Sequence, residues 1–111
     1  MSTNDEVVVI AFLKTRAGVD PERFAEWAAS TDLPTWRKKD VVIGFDTYRV
    51  TDPGESGVDA AFVEVMHLRS WDEWVEVGRR DPDIAPLAAA FEELVDDAEV
   101  RRTRLVPVDA G

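Results

Sequence analysis

The spacing of hydrophobic residues changes along the chain and predicts four strands and two helical regions. Four short apolar segments rich in β-branched residues are typical of strands: residues 7–14, 41–50, 60–68 and 100–108. Apolar residues three and four positions apart predict helices after residue 20 and between residues 71 and 95. The predicted order of elements is therefore β-α-β-β-α-β.

Local residues predict where the helices begin and end. Asp20 can cap a helix whose first position is Pro21, and Ser70 with Glu73 forms a capping box for the second helical region. Pro34 predicts the end of the first helix, because the residue before a proline is pushed out of the α region. Trp36 is then expected in a loop, exposed or stacked on a ligand.

The predicted order is that of the ferredoxin-like split unit, an α+β fold with a four-stranded antiparallel sheet and helices on one face. We expect one domain over residues 1–111, with an ordered core at about residues 7–108 and short loose ends. The other sheet face stays apolar, and a chain of 111 residues cannot cover it. We therefore expect a homodimer in which two sheets face each other and enclose a cavity.

Composition excludes several classes of function. With 13 Lys and Arg against 23 Asp and Glu, the net charge is −10, which disfavours nucleic-acid binding. The chain has no cysteine and a single histidine, which excludes disulfides, a cysteine nucleophile and two-histidine metal sites. No apolar run is long enough to span a membrane, and the acidic first residues differ from a signal peptide. We expect a cytoplasmic protein without a metal.

Two ionisable residues of the third strand are candidates for acid–base chemistry. Phe62, Glu64, Met66 and Leu68 share one strand face, and His67 lies on the other. The larger apolar set suits the helix-packed core, which places His67 toward the cavity between the sheets as the first candidate. In the opposite assignment Glu64, the second candidate, faces that cavity. The alternatives are a solvent-bonded His67 and a Glu64 paired with an arginine of the last strand.

Four further residues complete the predicted site. Asp32, just before Leu33-Pro34, is a third catalytic candidate that could activate a substrate N–H at the cavity rim, or else a turn residue. Trp36, Tyr48 and Phe12 are predicted to bind substrate, because aromatic side chains combine apolar area with stacking.

Three segments resemble a known family. VVVIAFLKTRAGVDPERFAEWAASTDLPTW, FDTYRVT and FVEVMHLRSWDEW are similar to the RedY-like (HapK-like) proteins of the dimeric α/β-barrel superfamily. The resemblance implies a cofactor-free enzyme of prodiginine or bisindole pathways. It would steer cyclisation of an unstable dimer, supplied by upstream enzymes from a tryptophan-derived indolepyruvate imine. The resemblance also leads us to expect an acidic residue at position 67, where this chain has histidine.

Two other functions remain open at this stage. One is a cofactor-independent monooxygenase acting on an aromatic or polyketide substrate, an activity also found in this superfamily. The other is a non-catalytic protein that binds and shields a labile indole or pyrrole intermediate.

Overall fold

A computed structural model describes residues 5–109, apart from the side chains of residues 53 and 56. The strands are β1 (Val7–Leu13), β2 (Val42–Arg49), β3 (Phe62–Leu68) and β4 (Arg101–Leu105). The helices are α1 (Pro21–Trp27), α2 (Leu33–Arg37), α3 (Pro53–Ser56), α4 (Trp71–Arg80) and α5 (Ala85–Leu94). A π-helical turn, Ala28–Asp32, joins α1 to α2, and a 3₁₀ turn, Asp97–Glu99, precedes β4.

The four strands form one antiparallel sheet in the order β2-β3-β1-β4. Strands β1 and β3 are central, as the doubly apolar sequence of β1 predicted. In their register Ile10 is opposite Val65, and Leu13 is opposite Phe62. This arrangement confirms the predicted ferredoxin-like α+β fold.

The helices cover one face of the sheet, and the core lies between them. Leu13 and Leu68 of the sheet and Phe24 of α1 are completely buried. The opposite face of the sheet, called the open face below, carries half-buried apolar residues from the two central strands: Val8, Ile10, Phe12, Val63 and Val65. The predicted division into a packed and an apolar open face is confirmed for one chain.

Both predicted helix starts are confirmed by their hydrogen bonds. The carboxylate of Asp20 accepts from the backbone N–H of Glu22 at 3.0 Å. The hydroxyl of Ser70 accepts from the backbone N–H of Glu73 at 3.2 Å. Each cap satisfies a donor that the first helical turn leaves without a partner, and so fixes the start of α1 and of α4.

The predicted helix end before Pro34 is wrong, because the chain remains helical to Arg37. The backbone N–H of Leu33 donates to the carbonyl of Ala28, five residues earlier, instead of four. This wider turn shifts the hydrogen-bond ladder just before the proline, whose nitrogen has no hydrogen to donate. Pro34 is then a second residue of α2, a position that proline tolerates.

The last strand is shorter than predicted and lies at an edge of the sheet. It covers Arg101–Leu105, and all five of its residues are exposed. Its partner is β1 alone, with Arg102 opposite Ala11. Of the predicted loose ends, residues 1–4 and 110–111 lie outside the described residues.

Candidate active site

Strand β3 brings one carboxyl group into the core. Its residues alternate strictly between buried and half-buried, and the buried set is the predicted one: Phe62, Glu64, Met66 and Leu68. Glu64 is 9% exposed and is the only charged member of that set. His67 has the opposite parity and therefore lies on the open face, as favoured from the sequence.

The π-helical turn brings a second carboxyl group to the same side of the sheet. Asp32 ends this turn and is 4% exposed. A π-helical turn inserts an extra residue into the helical ladder and so rotates the following residues about the helix axis. Asp32, Leu33 and Trp36 are consequently all buried, although sequence patterns predicted a loop there.

Asp32 and Glu64 line one cavity of about 310 Å³ between the sheet and the helices. This volume is at the lower end of the range for small-molecule sites. The wall is otherwise mainly apolar and aromatic: Val9, Ala11, Trp36, Phe45, Met66, Trp74, Ile84, Leu87 and Phe91. This cavity belongs to one chain and lies on the helix side, where α4 and α5 leave space above β3. The cavity expected between two sheets needs a second copy and stays a prediction.

Burial raises the pKa of both carboxyl groups toward neutrality. Loss of hydration raises the pKa of Asp32 to about 7. Loss of hydration, together with the negative charge of Asp32, raises the pKa of Glu64 to about 8, against a smaller opposing effect of Arg102. Asp32 therefore ionises first, and its charge then opposes ionisation of Glu64. Near pH 7 the pair holds a proton that it can donate or accept.

The hydroxyl nearest in register to Glu64 does not stabilise its charge. Thr47 of β2 lies opposite Glu64, and its buried Oγ1 has no hydrogen-bond partner among residues 5–109. The alternative that Glu64 pairs with an arginine of the last strand is not supported either. Arg102 affects Glu64 through its charge, but the described residues form no ion pair between them. Among residues 5–109, Glu64 is thus a buried acid without a hydrogen-bond or ion-pair partner.

Stacked indole rings form one wall of the cavity. The ring centroids of Trp36 and Trp74 are 5.5 Å apart with an interplanar angle of 29°. The ring of Trp71 lies beside that of Trp74, with centroids 5.1 Å apart and a tilt of 32°. The expectation of an exposed Trp36 in a loop is wrong, because α2 continues past Pro34 and leaves its indole only 7% exposed. Its predicted role in substrate binding remains a prediction.

Three predicted site residues lie on the open face, away from Asp32 and Glu64. Tyr48 and Phe12 flank Val63 from the two neighbouring strands, and Tyr48 is 55% exposed. His67 Nε2 is 3.2 Å from a carboxylate oxygen of Glu6. The sheet separates these side chains from the cavity. In a single chain the predicted site residues therefore form two groups, one at the cavity and one on the open face.

Within residues 5–109, no group of three or more metal-ligating side chains is close enough to hold a metal ion. In the same part of the chain, no helix has both the length and the apolar character needed to cross a membrane.

Residues 7–106 match the sequence family described as REDY-like protein HapK. The chain belongs to this family. A comparison with curated proteins gave no match. Solved structures show that the fold is shared more widely. HapK from Hahella chejuensis has a TM-score of 0.73 at 17% identity, over 95% of each chain.

Two further solved structures resemble this REDY-like protein. SnoaB, a cofactor-independent oxygenase from Streptomyces nogalater, has a TM-score of 0.72 at 16% identity, over 96% of each chain. Rv0793 from Mycobacterium tuberculosis has a TM-score of 0.64 at 24% identity, over 94% of this chain and 96% of its own. At these identities the likeness shows the fold, and the chemistry has to be argued from the side chains.

The sequence did not predict that Arg102, Trp74 and Phe91 line the cavity of this REDY-like protein. Trp74 of α4 and Phe91 of α5 are half-buried residues that pack against the core. The Arg-rich last strand was recognised, but which arginine faces the helices depends on its register with β1. The alternation along a strand shows which of its residues share a face. Which of the two faces points toward the helices is decided by tertiary packing.

Proposed function

We propose that this protein is a cofactor-free tailoring enzyme of secondary metabolism, acting in the cytoplasm. It directs proton transfer and cyclisation of a reactive bisindole or prodiginine-type intermediate derived from an indolepyruvate imine. The observation that carries the proposal is the pair Asp32 and Glu64, two carboxyl groups of near-neutral pKa that face one aromatic-lined cavity. Membership of the REDY-like family supports the type of pathway.

The two carboxyl groups take opposite roles in the proposed reaction. Glu64 has the higher pKa and donates its proton to an imine nitrogen. Asp32 has the lower pKa and, as the carboxylate, accepts a proton from the carbon or N–H group that is activated for ring closure. Passage of that proton from Asp32 to Glu64, directly or through water, restores the starting state. The cycle conserves protons and needs no oxidant.

The cavity wall supports an indole or pyrrole substrate. The stacked indole rings of Trp36 and Trp74 both line the cavity and contribute aromatic surface to its wall. Offset stacking on such rings contributes about 0.5–1.5 kcal/mol beyond the burial of apolar area. An apolar wall also limits the contact of water with an imine, which is otherwise hydrolysed. Upstream enzymes that form the imine would supply the substrate.

The open face supports a homodimer in the proposed enzyme. Its central residues Ile10 and Val65 are half-buried in one chain and flanked by further apolar side chains. A contiguous apolar surface of this kind is stabilised when a second copy covers it. Tyr48, Phe12 and His67 would then lie between the two sheets. Catalysis by His67, the first candidate from the sequence, requires a second reaction site in that space.

The test is a reconstituted reaction with the imine-forming enzymes upstream. We expect wild-type protein to change the product profile, and Glu64→Gln to lower the rate of the new product about 10²–10⁴-fold. Glu93→Gln, an exposed position on α5, is the matched control and should behave as wild type. A profile that does not change when the wild-type protein is added would refute the proposed function.

A non-catalytic binder is distinguished by the same variants. A protein that only shields the intermediate needs the cavity but not its proton donors. Both Glu64→Gln and Asp32→Asn would then change the product profile as the wild type does. That outcome would show that the protein binds the intermediate and does not catalyse its conversion.

A second candidate function is a cofactor-independent monooxygenase. The structural likeness to SnoaB, a cofactor-independent oxygenase, favours it. Proton removal by Asp32 would leave a substrate carbanion, and dioxygen would oxidise that carbanion. Oxygen uptake with an aromatic or polyketide substrate, without added flavin or metal, would support this function. Unchanged turnover under nitrogen would exclude it.

A further inference from the structure

In the described part of the chain, Arg102 is the one cationic side chain that lines the cavity. It lies on β4 opposite Ala11, which is a core-face residue of β1. Its guanidinium carbon is 5.9 Å from the centre of the Phe91 ring, which also lines the cavity. This cation–π contact holds the guanidinium at the edge of the cavity, although Arg102 as a whole is exposed.

The positive charge of Arg102 is not neutralised by an ion pair. Three arginines near the sheet have carboxylate partners: Arg37 with Asp46, Arg49 with Glu22, and Arg69 with Glu73. Within residues 5–109, Arg102 has none. The other arginines of β4, Arg101 and Arg104, form no ion pair among the described residues either, so what distinguishes Arg102 is its place at the cavity. Two carboxylates, Glu92 and Asp97, also line the cavity, but neither forms an ion pair with it there. The donors of Arg102 are therefore available to a bound molecule.

We infer that Arg102 binds the carboxylate of an aromatic substrate and so determines which substrates enter the cavity. The planar guanidinium donates two parallel hydrogen bonds to a carboxylate, a geometry that a lysine cannot reproduce. The ring of the substrate would stack against Trp36 and Trp74. The inference rests on the proposed function for the location of the site and adds the substrate class, an aromatic carboxylate, with the residue that selects it.

Binding of two small probes tests the inference without turnover. Indole-3-acetate and indole-3-acetamide have the same shape and differ in charge. By calorimetric titration we expect wild-type protein to bind the carboxylate about tenfold more tightly than the amide, the usual effect of a charge-assisted hydrogen bond. Arg102→Gln should bring the two affinities together, and Arg102→Lys should leave a smaller preference.

Arg101→Gln is the matched control. Arg101 is the neighbour of Arg102 on the same exposed strand but is opposite Phe12, on the open face. It should keep the full preference for the carboxylate. The same result is expected in the homodimer, because the two arginines stay on different sides of the sheet.

Three results would overturn the inference: equal affinities in wild type, a preference that survives Arg102→Gln, or no measurable binding of either probe. Its failure is distinct from that of the proposed function. If the wild type shows no preference for the carboxylate but Glu64→Gln still lowers the reaction rate, only the role of Arg102 is refuted. If the preference for the carboxylate is present but Glu64→Gln forms product at the wild-type rate, the acid–base role of Glu64 is refuted instead.

Discussion

Glu64 and His67 are three residues apart on strand β3 and lie on opposite faces of the sheet. Glu64 faces a cavity on the helix side, whereas His67 lies on the open face beside Glu6. Histidine is the residue expected to titrate near neutrality. Here burial gives a glutamic acid that property, because the charged form of Glu64 loses its hydration.

The rate of the proposed reaction should have a maximum between about pH 7 and pH 8. Asp32 acts as a base and must be ionised, so the rate rises through its pKa of about 7. Glu64 acts as an acid and must keep its proton, so the rate falls through its pKa of about 8. A pH profile of kcat/KM measures both limbs. Asp32→Asn should abolish the acidic limb in the residual activity; an unchanged limb in that variant would exclude Asp32 as the base.

Stability should fall as the pH rises from about 4, where these groups ionise in the unfolded chain, to about 8. In the unfolded chain both carboxyl groups lose their protons near pH 4, but in the folded chain they do so only near pH 7 and pH 8. Between about pH 4 and pH 8 the folded chain therefore binds more protons than the unfolded chain. A rise in pH removes these protons and so shifts the equilibrium toward the unfolded chain. We expect the free energy of unfolding to fall by roughly 3 kcal/mol or more between pH 5 and pH 9.

Urea denaturation at a series of pH values measures this dependence. Glu64→Gln should flatten the curve and be more stable than wild type at pH 9, because the amide never ionises. Glu93→Gln should follow the wild-type curve. A wild-type stability that does not decrease above pH 5 would contradict the raised pKa values.

His67→Ala decides which face of the sheet carries the chemistry. If the reaction takes place in the cavity on the helix side, this variant should keep the rate of product formation, because the sheet separates His67 from Asp32 and Glu64. If the reaction takes place between two sheets, the rate should fall about 10²–10⁴-fold. We expect the first result in the reconstituted reaction, and the second would return the catalytic role to His67.

Much of the fold follows from the sequence, since it depends on local signals. Strand alternation, the caps at Asp20 and Ser70, and the apolar nature of β1 each act over a few residues. The continuation of the helix through Pro34 does not follow from them, because it depends on a π-helical turn after which Leu33 and Trp36 pack into the core. Propensity rules for proline describe an isolated helix.

The site was harder to predict than the fold. Alternation along β3 shows that Glu64 and His67 face opposite sides, and the larger apolar set assigns Glu64 to the helices. Whether a cavity remains on that side depends on how α4 and α5 pack over the sheet. That packing depends on the volumes of many side chains that are distant in the sequence. The sequence therefore pointed to a cavity on the open face, and the cavity of one chain lies on the other.

Sedimentation velocity tests the role of the open face. We expect wild-type protein at micromolar concentration to sediment as two chains. Ile10→Glu places a charge at the centre of the open face and should yield single chains with an unchanged circular dichroism spectrum. Ala89→Glu, an exposed substitution on α5, should leave the dimer intact. Single chains for the wild type would show that the open face is not a self-association surface under these conditions.

The central claim is that the Glu64 carboxyl keeps its proton to near-neutral pH inside the cavity. Carbon-detected nuclear magnetic resonance follows the ionisation of each glutamate side chain during a pH titration, with Glu64→Gln identifying the Glu64 signal by its absence. The account predicts a midpoint at about pH 8 for Glu64, and a second, smaller inflection when Asp32 ionises at about pH 7. A midpoint in the ordinary range of an exposed glutamate, at about pH 4, would contradict it.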